Sequence, residues 1–366
     1  MAPVARGSDG VIQSWQMAAP GELRRVSLPL PELAVGEVLV EIRGCGVCHT
    51  DLSYFHGSVN TLQKPPLTLG HEIAGVVVAC ADGDAASPLL GREVIVPAVL
   101  PCHACEICRM GRPNRCLAQK MPGNSLGIHG GFASHIPVPG RDLCVVGERG
   151  NIPLEHLAVV ADAVSTPYQA AQRAGVKAGD RVIVIGAGGG VGGFMVQMAK
   201  AFGARAVVGI DIDAERLARI NGHGLDGAID VAGVTVVQAK ERFKAWCQTQ
   251  GLPANQGWKI FEVSGSVAGQ ELALALLSFV GTLVVVGYGT QEISFNPSRL
   301  MALDAEVIGT WGCAPDAYPA VLRMCVDGRI ALAPFVDTQP MSRIAEVFAA
   351  AHRGELKRRV VLTPDF

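Results

Sequence analysis

The stretch that most limits what this chain can fold into runs from Arg181 to Gly193, R-V-I-V-I-G-A-G-G-G-V-G-G. A run of β-branched residues reads as a strand buried on both faces, and the glycines predict a tight turn into a helix over Val191 to Phe202. Glycines at such a turn let the backbone approach a pyrophosphate, which free N–H groups at the helix start can bind. The candidates are Gly186, Gly188, Gly189, Gly190, Val191 and Gly192. Two registers fit: Gly188, Gly190 and Gly193 match G-x-G-x-x-G literally, whereas Gly192 suits close helix packing better. About twenty residues on, the strand A-V-V-G-I-D ends in Asp211, where a carboxylate can accept the ribose hydroxyls of NAD. A 2′-phosphate would meet Asp211 and Asp213, so NAD is expected over NADP; the alternative for Asp211 is an ordinary strand-terminal turn residue.

The same alternation continues in both directions. A helix is expected from Ser165, then further helices over Ala214–Asn221, Val236–Cys247 and Ser266–Phe279, and strands over Lys259–Val263 and Thr282–Gly287. This rhythm predicts an α/β domain with a doubly wound parallel sheet over residues 164–307. Before it, short strands at Val38–Arg43, Ile73–Val78 and Arg92–Val96 between turn clusters predict a β-rich domain over 1–163. After it come a helix (Arg343–Arg353) and the strand R-R-V-V-L, and residues 308–366 are expected to rejoin that first domain.

Two domains also follow from the length, since 366 residues exceed what one core supports. With 49% hydrophobic but only 5% aromatic residues, the interior must be aliphatic, as in parallel sheets between helices. A net charge of -2 gives no electrostatic case for nucleic acid or an anionic membrane. The N-terminus lacks a secretory apolar core. The uncharged run between Glu271 and Glu292 is broken by Gly281, Gly287 and Gly289 into a helical and a β-branched half, so no membrane span is expected. Eleven cysteines suit reduced thiols in a soluble, cytoplasmic protein.

The thiols fall into groups. Gly44 to Gly75 carries G-C-G-V-C-H-T-D and L-G-H-E-I-A-G, bringing Cys48, His71, Asp51, Glu72, Thr50 and His56 into one segment. Thiolate and imidazole form a zinc-type ligand set, and neighbouring carboxylates suit the support of a metal-bound histidine. Cys45 and Cys48 as a redox pair is the competing reading, but it leaves His71-Glu72 without a use. Cys102, Cys105, Cys108 and Cys116, within a lobe at about 98–120, can close a tetrahedral shell around a structural zinc. Arg109, Arg112 and Arg115 in that lobe read as a solvated face.

These motifs in this order, with H-G-G-F-A-S (His129 to Ser134) and the closing R-R-V-V-L, resemble the zinc-containing medium-chain alcohol dehydrogenases over nearly the whole chain. The resemblance implies a GroES-like catalytic domain holding two zinc ions, a Rossmann NAD-binding domain and an active site between them. It implies Cys48 and His71 as catalytic zinc ligands, and Asp162 in the third-ligand position before S-T-P-Y, with Glu72 as an alternative ligand. Thr50 and His56 match a proton relay, His49 and Arg359 positions facing the cofactor pyrophosphate, and Arg216 one near the adenosine ribose. The activity implied is NAD-dependent oxidation of an alcohol by a homo-oligomer, a dimer or tetramer. I-Q-S-W-Q-M-A-A-P-G-E-L and D-L-S-Y-F-H-G-S-V-N are similar to the 6-hydroxycyclohex-1-ene-1-carbonyl-CoA dehydrogenases, which implies a CoA thioester substrate. Ala98, where some relatives carry a bulky aromatic, implies a roomier pocket. The rival readings are a generic cyclic alcohol dehydrogenase, a zinc-free enone reductase, and a non-catalytic NAD-binding protein of the same fold.

Overall fold

The computed structural model describes residues 10–81 and 87–366; Met1 to Asp9, most of the stretch read for a secretory signal, lie outside them. Among the described residues no helix is long and apolar enough to cross a membrane. The chain divides into two compact units, one holding residues up to Ser165 with Gly312–Gly328 and Leu332–Phe366, the other Thr166–Trp311 with Arg329–Ala331.

The first unit opens with a hairpin that the sequence reading lacked, β1 (Val11–Ala19) and β2 (Glu22–Pro29), turning at Pro20-Gly21. The polar residues of V-I-Q-S-W-Q-M masked a strict strand alternation, yet Ile12, Ser14 and Gln16 are buried as a strand face requires. Then come β3 (Glu37–Gly46), α1 (His49–Phe55), β4 (Leu67–Thr68), β5 (Glu72–Cys80) and β6 (Glu93–Val96). After them lie α2 (Glu106–Arg109), β7 (His135–Pro139) and β8 (Cys144–Val145). β3 pairs antiparallel with β5, and their inward side chains (Val40, Ile42, Ile73, Val77) join Leu67, Phe132 and Ile136 in the core of this unit. An eight-residue 3-10 segment, Leu154–Ala161, packs its buried face there and delivers Asp162 as its C-terminal cap.

The second unit starts in α3 (Ser165–Arg173) and continues β9 (Arg181–Ile185), α4 (Gly192–Ala201), β10 (Ala206–Asp211), α5 (Ala214–Ile220) and β11 (Gly227–Asp230). It is completed by α6 (Val236–Thr249), β12 (Trp258–Glu262), α7 (Val267–Leu276), β13 (Thr282–Val285), α8 (Ser298–Leu303) and β14 (Glu306–Gly309). The six strands are parallel in the order β11-β10-β9-β12-β13-β14, so the chain reverses its direction of travel across the sheet between β9 and β12. Strand β14 pairs with β13, which carries this unit past residue 307, to Trp311. Helices α5 and α6 start on Asp213 and Thr235, whose side chains accept the Arg216 and Gln238 N–H groups. The chain then forms α9 (Tyr318–Val326), β15 (Val336–Pro340), α10 (Ile344–His352) and β16 (Arg359–Thr363); β16 pairs antiparallel with β3 through Val361 and Leu362.

Candidate metal centres and nucleotide loop

Cys48, His71, Glu72 and Asp162 come together, each offering one donor atom within 4.8 Å of the others. Cys48 is the N-cap of α1, Glu72 opens β5 with His71 just before it, and Asp162 ends the 3-10 segment. Asp162 Oδ2 lies 3.5 Å from Cys48 Sγ and 3.6 Å from His71 Nε2. Tetrahedral zinc with bonds of about 2.0–2.3 Å would set such donors about 3.3–3.6 Å apart, so the three side chains already have the spacing of a metal's ligand shell.

Asp51 builds this arrangement. Wholly buried, its carboxylate accepts the Cys48 N–H at 2.9 Å and the Gly70 N–H at 3.0 Å, and meets His71 Nδ1 at 3.2 Å. One side chain thereby fixes both segments and leaves Nε2 of His71 facing Cys48 and Asp162. Burial pushes the His71 imidazole down, but Asp51, with Asp162 and Cys48, more than reverses this and carries it well above its ordinary value. Three carboxylates, those of Asp51, Glu72 and Asp162, gather here with the Cys48 sulfur and the His71 imidazole beside one guanidinium, Arg359, a donor set of the kind a divalent metal ion takes.

Glu72 is differently placed. Its carboxylate is fully buried and gripped by Arg359, whose Nε donates to Oε2 at 3.0 Å and whose Nη2 donates to Oε1. Burial raises the Glu72 carboxyl above its ordinary value, and Arg359 works against that rise. The Arg359 guanidinium, expected at a pyrophosphate, is thus turned to Glu72, with Asp162 Oδ2 3.9 Å away. No local spacing could have revealed a pair 287 residues apart.

Cys45 is fully buried, and a Cβ on Gly70 or Gly131 would run into its sulfur. Burial, then Asp51, raises its thiol well above the ordinary value, which keeps it a neutral core residue, and its sulfur is not among the gathered donor atoms. Thr50 Oγ1 is 3.6 Å from Cys48 Sγ. His56 sits at the other end of α1, exposed and with its ring 4.2 Å from that of His352. His49, on the first turn, is lowered by burial and then by His352 and Arg359. Sequence reasoning missed His352, and also Tyr318, whose buried hydroxyl donates to the Ala161 carbonyl at 2.5 Å and accepts the Ala98 N–H at 3.2 Å. Tyr318 so ties the residue before Asp162 to the segment entering the cysteine lobe.

In that lobe the four sulfurs stand 3.3 Å (Cys102–Cys116), 3.5 Å (Cys105–Cys108) and 3.8 Å (Cys105–Cys116) apart. A tetrahedron with zinc–sulfur bonds of about 2.3 Å has edges of about 3.8 Å. Backbone N–H groups of Ala104 and Cys105 lower Cys102, and those of Leu117 and Cys108 bring Cys105 down to about 6, while burial raises Cys108 and Cys116. His103, outside the sulfur cluster, contacts Asp142 at 2.6 Å and links the lobe to the body of its unit. Arg109, Arg112 and Arg115 are exposed.

In the second unit the glycine register resolves. A Cβ on Gly192 would overlap the Gly186 carbonyl oxygen, so Gly192 is where α4 passes closest to the turn. Gly186 itself has φ +83°. Asp211 reaches back across the turn: Oδ2 accepts the Gly188 N–H at 2.7 Å and Oδ1 the Asp213 N–H at 3.1 Å. The Arg216 Cβ borders Gly188, and its Nε lies 3.2 Å from Asp213. Asp211 and Arg216 therefore flank the glycine turn.

Residues 34–148 match the alcohol dehydrogenase GroES-like domain and residues 190–327 the zinc-binding dehydrogenase domain. An alcohol dehydrogenase of Geobacillus stearothermophilus is 31% identical over 337 residues, 91% of this chain and 93% of that one. The chain belongs to the zinc-binding alcohol dehydrogenases. It is an oxidoreductase with a GroES-like domain and a Rossmann-type parallel-sheet domain, and zinc and a nicotinamide dinucleotide are its cofactors. The NAD-dependent alcohol dehydrogenase of Sulfolobus acidocaldarius is 30% identical, covering 84% of this chain and 87% of its own. The structure of acetophenone reductase from Geotrichum candidum in complex with NAD superposes with a TM-score of 0.84 at 25% identity, covering 98% of both chains.

For this zinc-binding alcohol dehydrogenase, metal analysis of the purified protein is expected to find two zinc ions per chain. One ion, retained in full by Cys48→Ser, would show that only the four-cysteine lobe is occupied.

Proposed function

We propose that this enzyme oxidises 6-hydroxycyclohex-1-ene-1-carbonyl-CoA, a secondary allylic alcohol on a six-membered ring, to the conjugated ketone 6-oxocyclohex-1-ene-1-carbonyl-CoA in anaerobic aromatic degradation. NAD is the acceptor. The observation that carries the alcohol-oxidising part is the spacing of Cys48, His71 and Asp162 around one point with Asp51 behind them. Bound there, zinc supplies a Lewis acid that lowers the pKa of an alcohol toward neutrality, and NAD accepts the hydride.

The chain's own side chains supply the rest. Asp51 holds the imidazole of His71 in one tautomer, and Arg359 holds Glu72 out of the ligand set. Thr50, beside Cys48, is placed to take the substrate hydroxyl proton. His56 passes it to solvent from the exposed end of α1. Six residues of helix separate them by about 9 Å, so a bridging hydroxyl or water must join the two. His49 stands at the start of the same helix for an anionic cofactor group, and Arg359, whose Nε and Nη2 hold Glu72, is the second candidate for that role. The reading as a cytoplasmic homo-oligomer rests on eleven free thiols and on the resemblance.

NAD is expected over NADP because the Asp211 carboxylate borders the glycine turn and would repel a 2′-phosphate. Asp211→Gly should erode the preference by about tenfold or more, the worth of a charged hydrogen bond. Equal turnover of the wild type with both dinucleotides would refute this role.

The thioester part rests on the N-terminal and post-motif segments and on Ala98. A missing side chain discriminates by only about 1–3 kcal/mol, so the CoA portion must contribute binding of its own, with Arg109, Arg112 and Arg115 as candidate phosphate partners only if the cysteine lobe borders the mouth of the cleft. Steady-state kinetics with the CoA ester, its free acid and cyclohexenol test this. The ester should exceed the simple alcohol in kcat/KM by about a hundredfold or more, since remote binding energy lowers the barrier. Parity would reduce the assignment to a generic cyclic alcohol dehydrogenase.

A further inference from the structure

Glu262, the last residue of β12, is a fully buried carboxylate that the mechanism above does not use. Its hydrogen bonds all go to the loop that follows. Oε1 accepts the Ser264 N–H at 2.8 Å, the Ser264 hydroxyl at 2.5 Å and the Gly265 N–H at 3.1 Å, and Oε2 receives the Gly265 N–H at 3.2 Å. Ser264 Oγ is in turn 2.9 Å from Ser266 Oγ, and Ser266 caps α7 by accepting the Gly269 N–H. Burial raises the Glu262 carboxyl, and these donors pull it back, which marks an acid kept inside for the contacts it makes.

The loop it shapes occupies a particular place. Strands β9 and β12 are neighbours at the reversal of the sheet, and ligands of open parallel sheets lie outside the carboxyl ends of the strands at that reversal. The turn after β9 and the loop after β12 touch: a Cβ on Gly186 would stand 2.9 Å from Ser264 N. The loop after β13 closes on the other side, where Val286 and Gly287 N–H groups both donate to the Glu262 carbonyl, at 2.9 and 2.8 Å. A Cβ on Gly287 would overlap the Gly265 nitrogen, so these two loops pack backbone against backbone. Three loops therefore form one surface, and one buried carboxylate sets the conformation of the middle one.

We infer that Glu262 is a positioning residue for the dinucleotide: through Ser264 and Gly265 it shapes the shelf that receives the nicotinamide ring of NAD, on the β12 side. The adenosine half is assigned to the β10 side by Asp211 and Arg216, which leaves the nicotinamide end for this loop. The inference rests on the NAD reading above, and its test separates the two.

The experiment compares binding of NADH, followed by its fluorescence, with binding of ADP-ribose, followed by calorimetry, which lacks only the nicotinamide. In Glu262→Gln the side chain keeps its size but turns an amide toward N–H donors. NADH is expected to weaken at least about tenfold, as loss of a charged hydrogen bond implies, while ADP-ribose stays within about twofold. Ser264→Ala, at an exposed position that folding tolerates, should show the same asymmetry at about threefold. Equal losses for both ligands in both variants would mean a general structural role and overturn the proposal, as would unchanged NADH binding. Failure of the wild type to bind ADP-ribose at all would instead remove the dinucleotide reading beneath it.

Discussion

Replacing Asp162 by asparagine is expected to lower bound zinc from two ions per chain to one and to reduce turnover by about three orders of magnitude. An amide keeps the shape of the side chain but removes the charge that faces Cys48 and His71 at 3.5 and 3.6 Å. Lewis-acid assistance is worth several kcal/mol of barrier, and each 1.36 kcal/mol is tenfold in rate, which gives about that loss. Metal analysis and steady-state kinetics on the same preparation check it. Glu72 is the competitor this variant tests. If Asp162→Asn keeps both ions and full turnover, Glu72 must leave Arg359 and serve as the third ligand.

Removing Arg359 should produce the largest loss of stability. Arg359→Ala strands the wholly buried Glu72 carboxylate, and breaking a buried ion pair from one side costs about 3–5 kcal/mol. Thermal or urea unfolding should show a midpoint lowered by roughly 10 °C or its equivalent in denaturant. Combining it with Glu72→Gln, which removes the orphaned charge, should recover most of the loss. A single variant within about 1 kcal/mol of the wild type would mean that Glu72 is satisfied in some other way.

The parts of this molecule that were legible beforehand are those where chemistry and spacing coincide. Strands β9 and β10 begin and end where R-V-I-V-I and A-V-V-G-I-D do, because continuous β-branched runs have no alternative in a sheet covered on both faces. The two thiol groups and His71-Glu72 were visible as ligand types, and the structure gathers them into two clusters. What stayed hidden depends on the third dimension. The β1–β2 hairpin was missed because its buried face carries Ser14 and Gln16; Ser14 is made tolerable there by the Thr68 hydroxyl, 2.7 Å away, a partner 54 residues on. The glycine register could not be read off a run in which two registers fit; only the approach of α4 to Gly186 selects Gly192. The partnership of Arg359 with Glu72 was hidden because it closes through the pairing of β16 beside β3, a contact no window of sequence contains.

That last strand has a consequence for synthesis on the ribosome. Cys48, His71 and Glu72 emerge early, but the guanidinium that neutralises Glu72 lies 287 residues later. Domains fold as units while the chain emerges at about 5–20 residues per second, so the nascent β-rich unit waits on the order of tens of seconds with an unpaired acid in its core. The parallel-sheet unit, almost all of it one uninterrupted segment, has no such wait and can fold first. The nascent metal centre is thus exposed to thiol oxidation and premature metal capture until β16 docks. A chain cut short before Arg359 would carry every zinc ligand and still lack a finished site.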